Sequence, residues 1–208
     1  MTRVVLYLDF VSPFAYIAFK RLHTLPPGVQ VELKPVLFAG LLNHFGQKGP
    51  AEIAAKRRWT YRWCTWWAKE LGIAFRFPAS HPFNPLHHLR LAIAAGVTPP
   101  NVGRIFDAVW TTGAEAADPV AFKALVRALG ADEARLAAQD VKDALKRNTD
   151  EAAARGVFGV PTWEVDGELF WGADALPFVQ AFLADPAALR NDEIRRADAL
   201  PIGAARKT

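Results

Sequence analysis

Sulfur is scarce in this sequence: 208 residues hold one cysteine, Cys64, and one methionine. A single cysteine excludes an internal disulfide, a two-cysteine redox centre and a cysteine-built zinc site. A dominant charge is also lacking, since 25 Lys and Arg against 21 Asp and Glu leave only +4. The basic residues, among them Arg57, Arg58, Arg62, Arg195, Arg196, Arg206 and Lys207, are spread thinly. That bias suits an anionic small molecule, and no strand interleaves basic with aromatic residues as a nucleic-acid surface would. No apolar run reaches the ~18 residues of a membrane span, and the first residues lack the pattern of a secretory leader. A cytoplasmic soluble protein with no membrane or nucleic-acid partner is the expectation. The 51% apolar content that remains is enough for one substantial core.

Periodicity divides the chain into three parts. Residues 3–8 read as a buried strand, 13–23 as a helix and 29–37 as a second strand, with Pro26-Pro27-Gly28 between the last two. That order and spacing fit a parallel right-handed crossover. From about 39 to 155 only helical patterns follow, at 50–71, 85–95, 102–112, 119–129 and 132–155, the last broken near Gln139-Asp140. Asn84-Pro85, Asp118-Pro119 and Asp132-Glu133 carry the chemistry of helix starts. At Gly156 the pattern changes again: Val160 to Val165, Asp166-Gly167, then Glu168 to Trp171 form a hairpin signal, because Asp-Gly suits a two-residue turn needing positive φ. A helix over 175–183 closes the ordered part, and Leu200 to Thr208 reads as a loose tail. The expected fold is α/β: a thioredoxin-like fold (βαβ then ββα) with a large all-helical insertion. The boundaries are 1–38 and 156–190 for the sheet domain, 39–155 for the insertion and 191–208 for the tail.

Two positions in that fold invite chemistry. Where the first strand meets the first helix, unpaired N–H groups and the helix dipole favour an anion, and two-cysteine redox enzymes of this fold place a thiolate there. Here Ser12-Pro13 stands instead, with no cysteine within fifty residues. The chain cannot supply the thiolate, but the Ser12 hydroxyl can donate to one brought by a ligand. A plain N-cap before Pro is the competing reading, and the two are compatible. The second position is Val160-Pro161, where a cis bond would turn the Val160 N–H and C=O outward toward an extended, peptide-like ligand. His87-His88 and His81 lack a helical partner of ligand type, so no metal is expected, and Cys64 reads as a buried apolar side chain.

The chain resembles the 2-hydroxychromene-2-carboxylate isomerase family, relatives of the kappa-class glutathione transferases with a DsbA-like helical insertion in a thioredoxin fold. The matching residues are Asp9-Phe-Val-Ser12-Pro13-Phe-Ala-Tyr16, Lys56-Arg57 with Trp67-Ala68, Phe77-Pro78, His81-Pro-Phe-Asn84, Gly156-Val-Phe-Gly159-Val160-Pro161-Thr162 and Phe170-Trp171-Gly172-Ala173-Asp174. They run in the expected order over residues 4 to about 183. The resemblance implies glutathione as cofactor, with Ser12 stabilising its sulfur as thiolate and Val160 pairing with its backbone beside cis Pro161. Ala173 and Asp174 would hold the γ-glutamyl end, an assignment an Asp carboxylate facing an ammonium fits; an N-cap is the alternative for Asp174.

On the substrate side the resemblance implies Gln47, Lys56, Arg57, Trp59 and Asn84, with Lys56 or Arg57 meeting a carboxylate and Asn84 also suited to capping. Gln47 is one methylene longer than the Asn frequent in relatives. Trp59, Trp63 and Trp66 or Trp67 share one helix face, and such a stripe reads first as core. Where relatives tend to carry Tyr and Asp, this chain has Trp59 and Trp63, which implies a more aromatic, less charged pocket. The resulting expectation is an isomerase of 2-hydroxychromene-2-carboxylate or a related aromatic carboxylate, acting as a homodimer. A glutathione-consuming transferase or peroxidase, and a silent thioredoxin-fold binding module, are the alternatives.

Overall fold

The computed structural model describes residues 2–204, so residues 205–208 of the expected tail lie outside it. A four-stranded mixed sheet in the order β2-β1-β3-β4 organises the molecule. Its strands are β1 (Arg3–Leu8), β2 (Gln30–Pro35), β3 (Thr162–Val165) and β4 (Glu168–Trp171). The central strand β1 pairs parallel with β2, Leu6 opposite Leu33, and antiparallel with β3, Leu6 opposite Trp163. Because β1 is covered on both faces, its sequence is an apolar run rather than an alternation. Val4, Leu6 and Leu8 point into the main core, while Val5 and Tyr7 face a second cluster with Val36, Leu41 and Val157. Asp166 (φ 50°) and Gly167 (φ 87°) make the expected hairpin turn.

Ten helices surround the sheet among the described residues: α1 (Pro13–Lys20), α2 (Phe38–His44), α3 (Ala54–Glu70), α4 (Leu86–Ala94), α5 (Pro99–Trp110), α6 (Pro119–Ala128), α7 (Glu133–Leu136), α8 (Gln139–Ala154), α9 (Leu176–Ala184) and α10 (Asp192–Asp198). The expected helical starts are present, with Asp118 accepting from Ala121 N–H at 2.8 Å and Asp132 from Ala134 N–H at 3.0 Å. The long pattern at 132–155 breaks where its sequence suggests, into α7 and α8. The last turn of α8, through Ala152 and Ala153, packs on the second face of the sheet. No described helix is long and apolar enough to cross a membrane.

Several expected elements need correction. The helix from Pro13 ends at Lys20, and a 3-10 turn (Leu22–Thr24) follows. Another 3-10 turn (Pro50–Glu52) precedes α3, where Glu52 Oε1 accepts from Gly49 N–H at 2.6 Å. Residues 38–44 and 192–198 are helical where no helix was expected. Within the tail, α10 stands on local polar bonds: Asn191 Oδ1 accepts from Ile194 N–H at 2.9 Å, and Arg196 pairs with Glu193. None of its residues is buried, so no apolar period advertises it.

Candidate active site

The turn Asp9-Phe10-Val11 joins β1 to α1 and delivers Ser12 to the end of the sheet. Ser12 is 6% exposed and caps α1, its Oγ accepting from Ala15 N–H at 3.1 Å. The same hydroxyl donates to the Val160 carbonyl at 3.4 Å, the outer limit of a hydrogen bond. Capping therefore uses a lone pair and leaves the O–H weakly engaged. The Val160-Pro161 bond is cis. No described residue accepts from the Val160 N–H, while the Pro161 carbonyl accepts from Gly172 N–H at 2.9 Å and ties the turn to the end of β4.

Beneath Ser12 lies Asp9, wholly buried, whose carboxylate accepts from Val11 N–H at 3.1 Å and Phe38 N–H at 2.9 Å. It thereby caps α2 from 29 residues away. Burial pushes its pKa up to about 7, against the pull of those two N–H donors. Beside it, His81 bridges the same turn to α3. Its Nε2 lies 2.8 Å from the Val11 carbonyl and so carries a hydrogen, and Nδ1 lies 2.7 Å from the Tyr61 hydroxyl. Burial lowers the His81 pKa. The only cysteine, Cys64, is buried in α3 with its thiol pushed up to about 12, so it offers no thiolate.

Asp9, Val11, Ser12 and His81 floor a cleft of about 600 Å³ between the end of the sheet and α3. Ser12, Val160, Pro161 and Asp174 stand on one side, Gln47, Lys56 and Trp59 on the other. Asp174 is exposed, and its carboxylate accepts no hydrogen bond within the described chain; the N-cap position of α9 is Ala175, so Asp174 is not the cap. Ala173 does not line the cleft: it is fully buried, and its carbonyl accepts from Arg21 at 3.2 Å. Lys56 is exposed without an acidic partner among the described residues, and Gln47 sits in the loop after α2, its N–H donating to Leu42 O at 2.9 Å. Two further residues fall elsewhere. Arg57 turns toward the Ala51 carbonyl at 3.4 Å, and Asn84 caps the start of α4, Oδ1 accepting from Leu86 N–H at 3.0 Å, on a different cavity.

The tryptophan stripe is divided: Trp63 and Trp67 are half-buried and pack against the main core, and the other two lie on the surface. Trp59 is 65% and Trp66 51% exposed, with Trp59 stacked on Trp63 at 6.0 Å and 12°. What α3 buries is its small residues, Cys64 and Ala68. Among the cleft residues that escaped the sequence reading of the site are His81, whose partners are 20 and 70 residues distant, Phe158, and Trp171, which packs on Phe158 at 5.0 Å. Gly159 was a usable signal for Trp171, because a Cβ there would lie 2.7 Å from the indole Nε1.

Comparison with known proteins places this geometry in context. A family model described as DSBA-like thioredoxin domain matches residues 3–184. A 2-hydroxychromene-2-carboxylate isomerase of Pseudomonas putida is 31% identical over 182 residues, covering 82% of this chain and 88% of that one. A glutathione S-transferase kappa 2 of Caenorhabditis elegans is 28% identical over 210 residues, covering 88% and 92%. Among solved structures, a 2-hydroxychromene-2-carboxylate isomerase superposes with a TM-score of 0.80 at 24% identity, over 96% of this chain and all of that one.

Proposed function

The chain belongs to the DSBA-like thioredoxin domain family, and from that premise we propose that it is a glutathione-dependent isomerase of a small aromatic carboxylate. The observation that carries the reading is a pair of unspent donors at one end of the cleft. The Ser12 O–H reaches only a 3.4 Å contact, and the Val160 N–H has no acceptor among the described residues. An N–H left open on a cleft wall is satisfied by a ligand acceptor. Asp174, with no partner among the described residues, fits an ammonium at the far end. These groups match an extended thiol peptide: Val160 holds its backbone, Asp174 its amino end, and Ser12 donates to its sulfur.

Glutathione bound in this way supplies a nucleophilic thiolate that the chain lacks and that is returned unchanged at the end of an isomerisation. The protein's part is electrostatic and positional. Ser12 and the start of α1 stabilise negative charge on sulfur. Lys56 supplies a cation for a substrate carboxylate across the cleft, and Trp59 and Trp63 offer flat faces to an aromatic ring. The likeness to isomerases at 31% identity supports this reaction class. The kappa-transferase relative supports a second reading, conjugation that consumes glutathione in the same cleft.

Titration of the protein with glutathione, followed through thiolate absorbance across pH, tests the reading. Wild type should bind with a depressed thiol pKa. Ser12→Ala should raise that bound pKa by about one unit or more, and an unchanged value would remove Ser12 from its role. Turnover of an aromatic carboxylate with no loss of free thiol would separate isomerase from transferase.

A further inference from the structure

A second cavity of about 340 Å³ opens on the helical insertion, between α4, α6 and α7, and shares no lining residue with the Ser12 cleft. The segment 81–85 divides the two: His81, Pro82, Phe83 and Pro85 line the cleft, and Asn84 lines the second cavity. His88 is the main anomaly on its wall. The residue is 4% exposed, its Nδ1 is fully buried with no hydrogen-bond partner, and its Nε2 bonds to no described group either. Phe83 and Phe122 pack edge to face on the imidazole at 5.6 and 5.2 Å. Burial, helped by neighbouring His87, pushes its pKa down to about 4, so the ring is neutral at ordinary pH. A neutral imidazole has one N–H. A bare lone pair is the cheaper orphan among phenyl edges, which puts the hydrogen on Nε2.

Arg90, on the same wall, has a buried Nε that donates to nothing, and its guanidinium pairs with no carboxylate among the described residues. Lys123 adds a second cation without an acidic partner among the described residues, and Glu133 is the single carboxylate in the lining. Beyond Asn84 and His87 the rest of the lining is apolar, chiefly Phe122 and Leu136. From this combination we infer that the cavity is a binding site for a small organic carboxylate with an apolar flank, held by Arg90, Lys123 and the His88 imidazole. Two cations against one carboxylate leave a single positive charge, which a monoanion neutralises and a phosphate dianion overfills. The apolar wall likewise suits a carboxylate bearing a ring or a short branched chain. This site stands independently of the function proposed for the cleft.

The test is an imidazole NMR titration of the full chain with benzoate, following the five histidines. The His87 and His88 signals should move saturably with a midpoint of about 1–10 mM, an affinity ordinary for so small a ligand. Distant His23 and His44 should stay still. Arg90→Gln should raise the midpoint about tenfold or more, the usual effect of losing a charge-assisted bond, and Lys56→Ala, in the other cleft, should leave it unchanged. Absence of saturable movement at His88 would overturn the proposal. So would a response lost in Lys56→Ala and kept in Arg90→Gln, or inorganic phosphate saturating the His88 shift below the benzoate midpoint.

Discussion

The two walls of the Ser12 cleft are built on opposite principles. On the sheet side the groups beneath the surface are buried and spoken for: Asp9 holds two N–H groups, His81 bridges Val11 and Tyr61, and the indole of Trp110, from α5, donates to the Phe10 carbonyl at 2.9 Å, while the Ser12 O–H, the Val160 N–H and the Asp174 carboxylate stay open at its face. The α3 side presents Lys56 and Trp59 to solvent, neither with a side-chain hydrogen bond among the described residues. The first wall is fixed by the fold's own stability, and the second is free to vary. Under the proposed function the cofactor lies on the fixed wall, and substrate choice falls to the free one.

The largest expected effect comes from breaking the fixed wall. Trp110 is fully buried, stacks on Phe75 at 5.6 Å and 11°, and lies 5.6 Å from the His81 ring. Trp110→Ala should cost about 3–5 kcal/mol and lower Tm by roughly 10 °C or more. A Tm within about 2 °C of wild type in a thermal melt would show that the turn beneath Ser12 does not lean on α5.

Asp9 gives the next effect, one that depends on pH. Its pKa rises from 3.8 to about 7 on folding, so between those values the native state holds a proton that the unfolded chain has released. Its contribution is complete below about pH 4 and is lost as pH climbs to about 7, a change of up to ~4 kcal/mol. Denaturant unfolding at several pH values should show this downward slope in wild type relative to Asp9→Asn. Parallel curves for the two proteins would mean that Asp9 is ionised throughout.

Asp9 also shows how far the sequence could be read. Elements whose signals are local were legible: the hairpin from Asp166-Gly167, the starts at Asp118 and Asp132, the break before Gln139. The helix 38–44 was not, because its N-cap residue, Leu37, makes no side-chain cap bond and the acceptor for Phe38 N–H is Asp9 in another element. Ser12, Val160 and Pro161 could be placed because position in the fold defines them. His81 could not, since its partners come from two distant segments. Periodicity put the tryptophans on one face correctly, and the reading of that face as core holds for Trp63 and Trp67 but not for Trp59 and Trp66. The same spacing serves a buried or an exposed stripe, and the small residues Cys64 and Ala68 were the better guide to what α3 buries.

On the free wall the effects should be smaller and should fall on binding. Lys56→Ala should raise the KM for an aromatic carboxylate about fivefold with kcat little changed, the size expected for one exposed ion pair. Added salt should raise the wild-type KM toward the variant's. A salt-independent KM equal to that of wild type would take Lys56 out of substrate binding.

The smallest change in stability should come from the largest exposed side chain. Trp59 meets the protein mainly through its stack on Trp63, so its removal uncovers little core, and Trp59→Ala should shift stability by no more than about 0.5 kcal/mol. The same substitution should weaken an aromatic substrate several-fold, as the loss of one stacked ring worth about 0.5–1.5 kcal/mol requires. The two readouts decide what the tryptophan stripe is for. A Tm several degrees lower with KM unchanged would make it a structural ladder that happens to border the cleft. An unchanged Tm with a raised KM would mean that the free wall carries its exposed aromatic area as recognition surface.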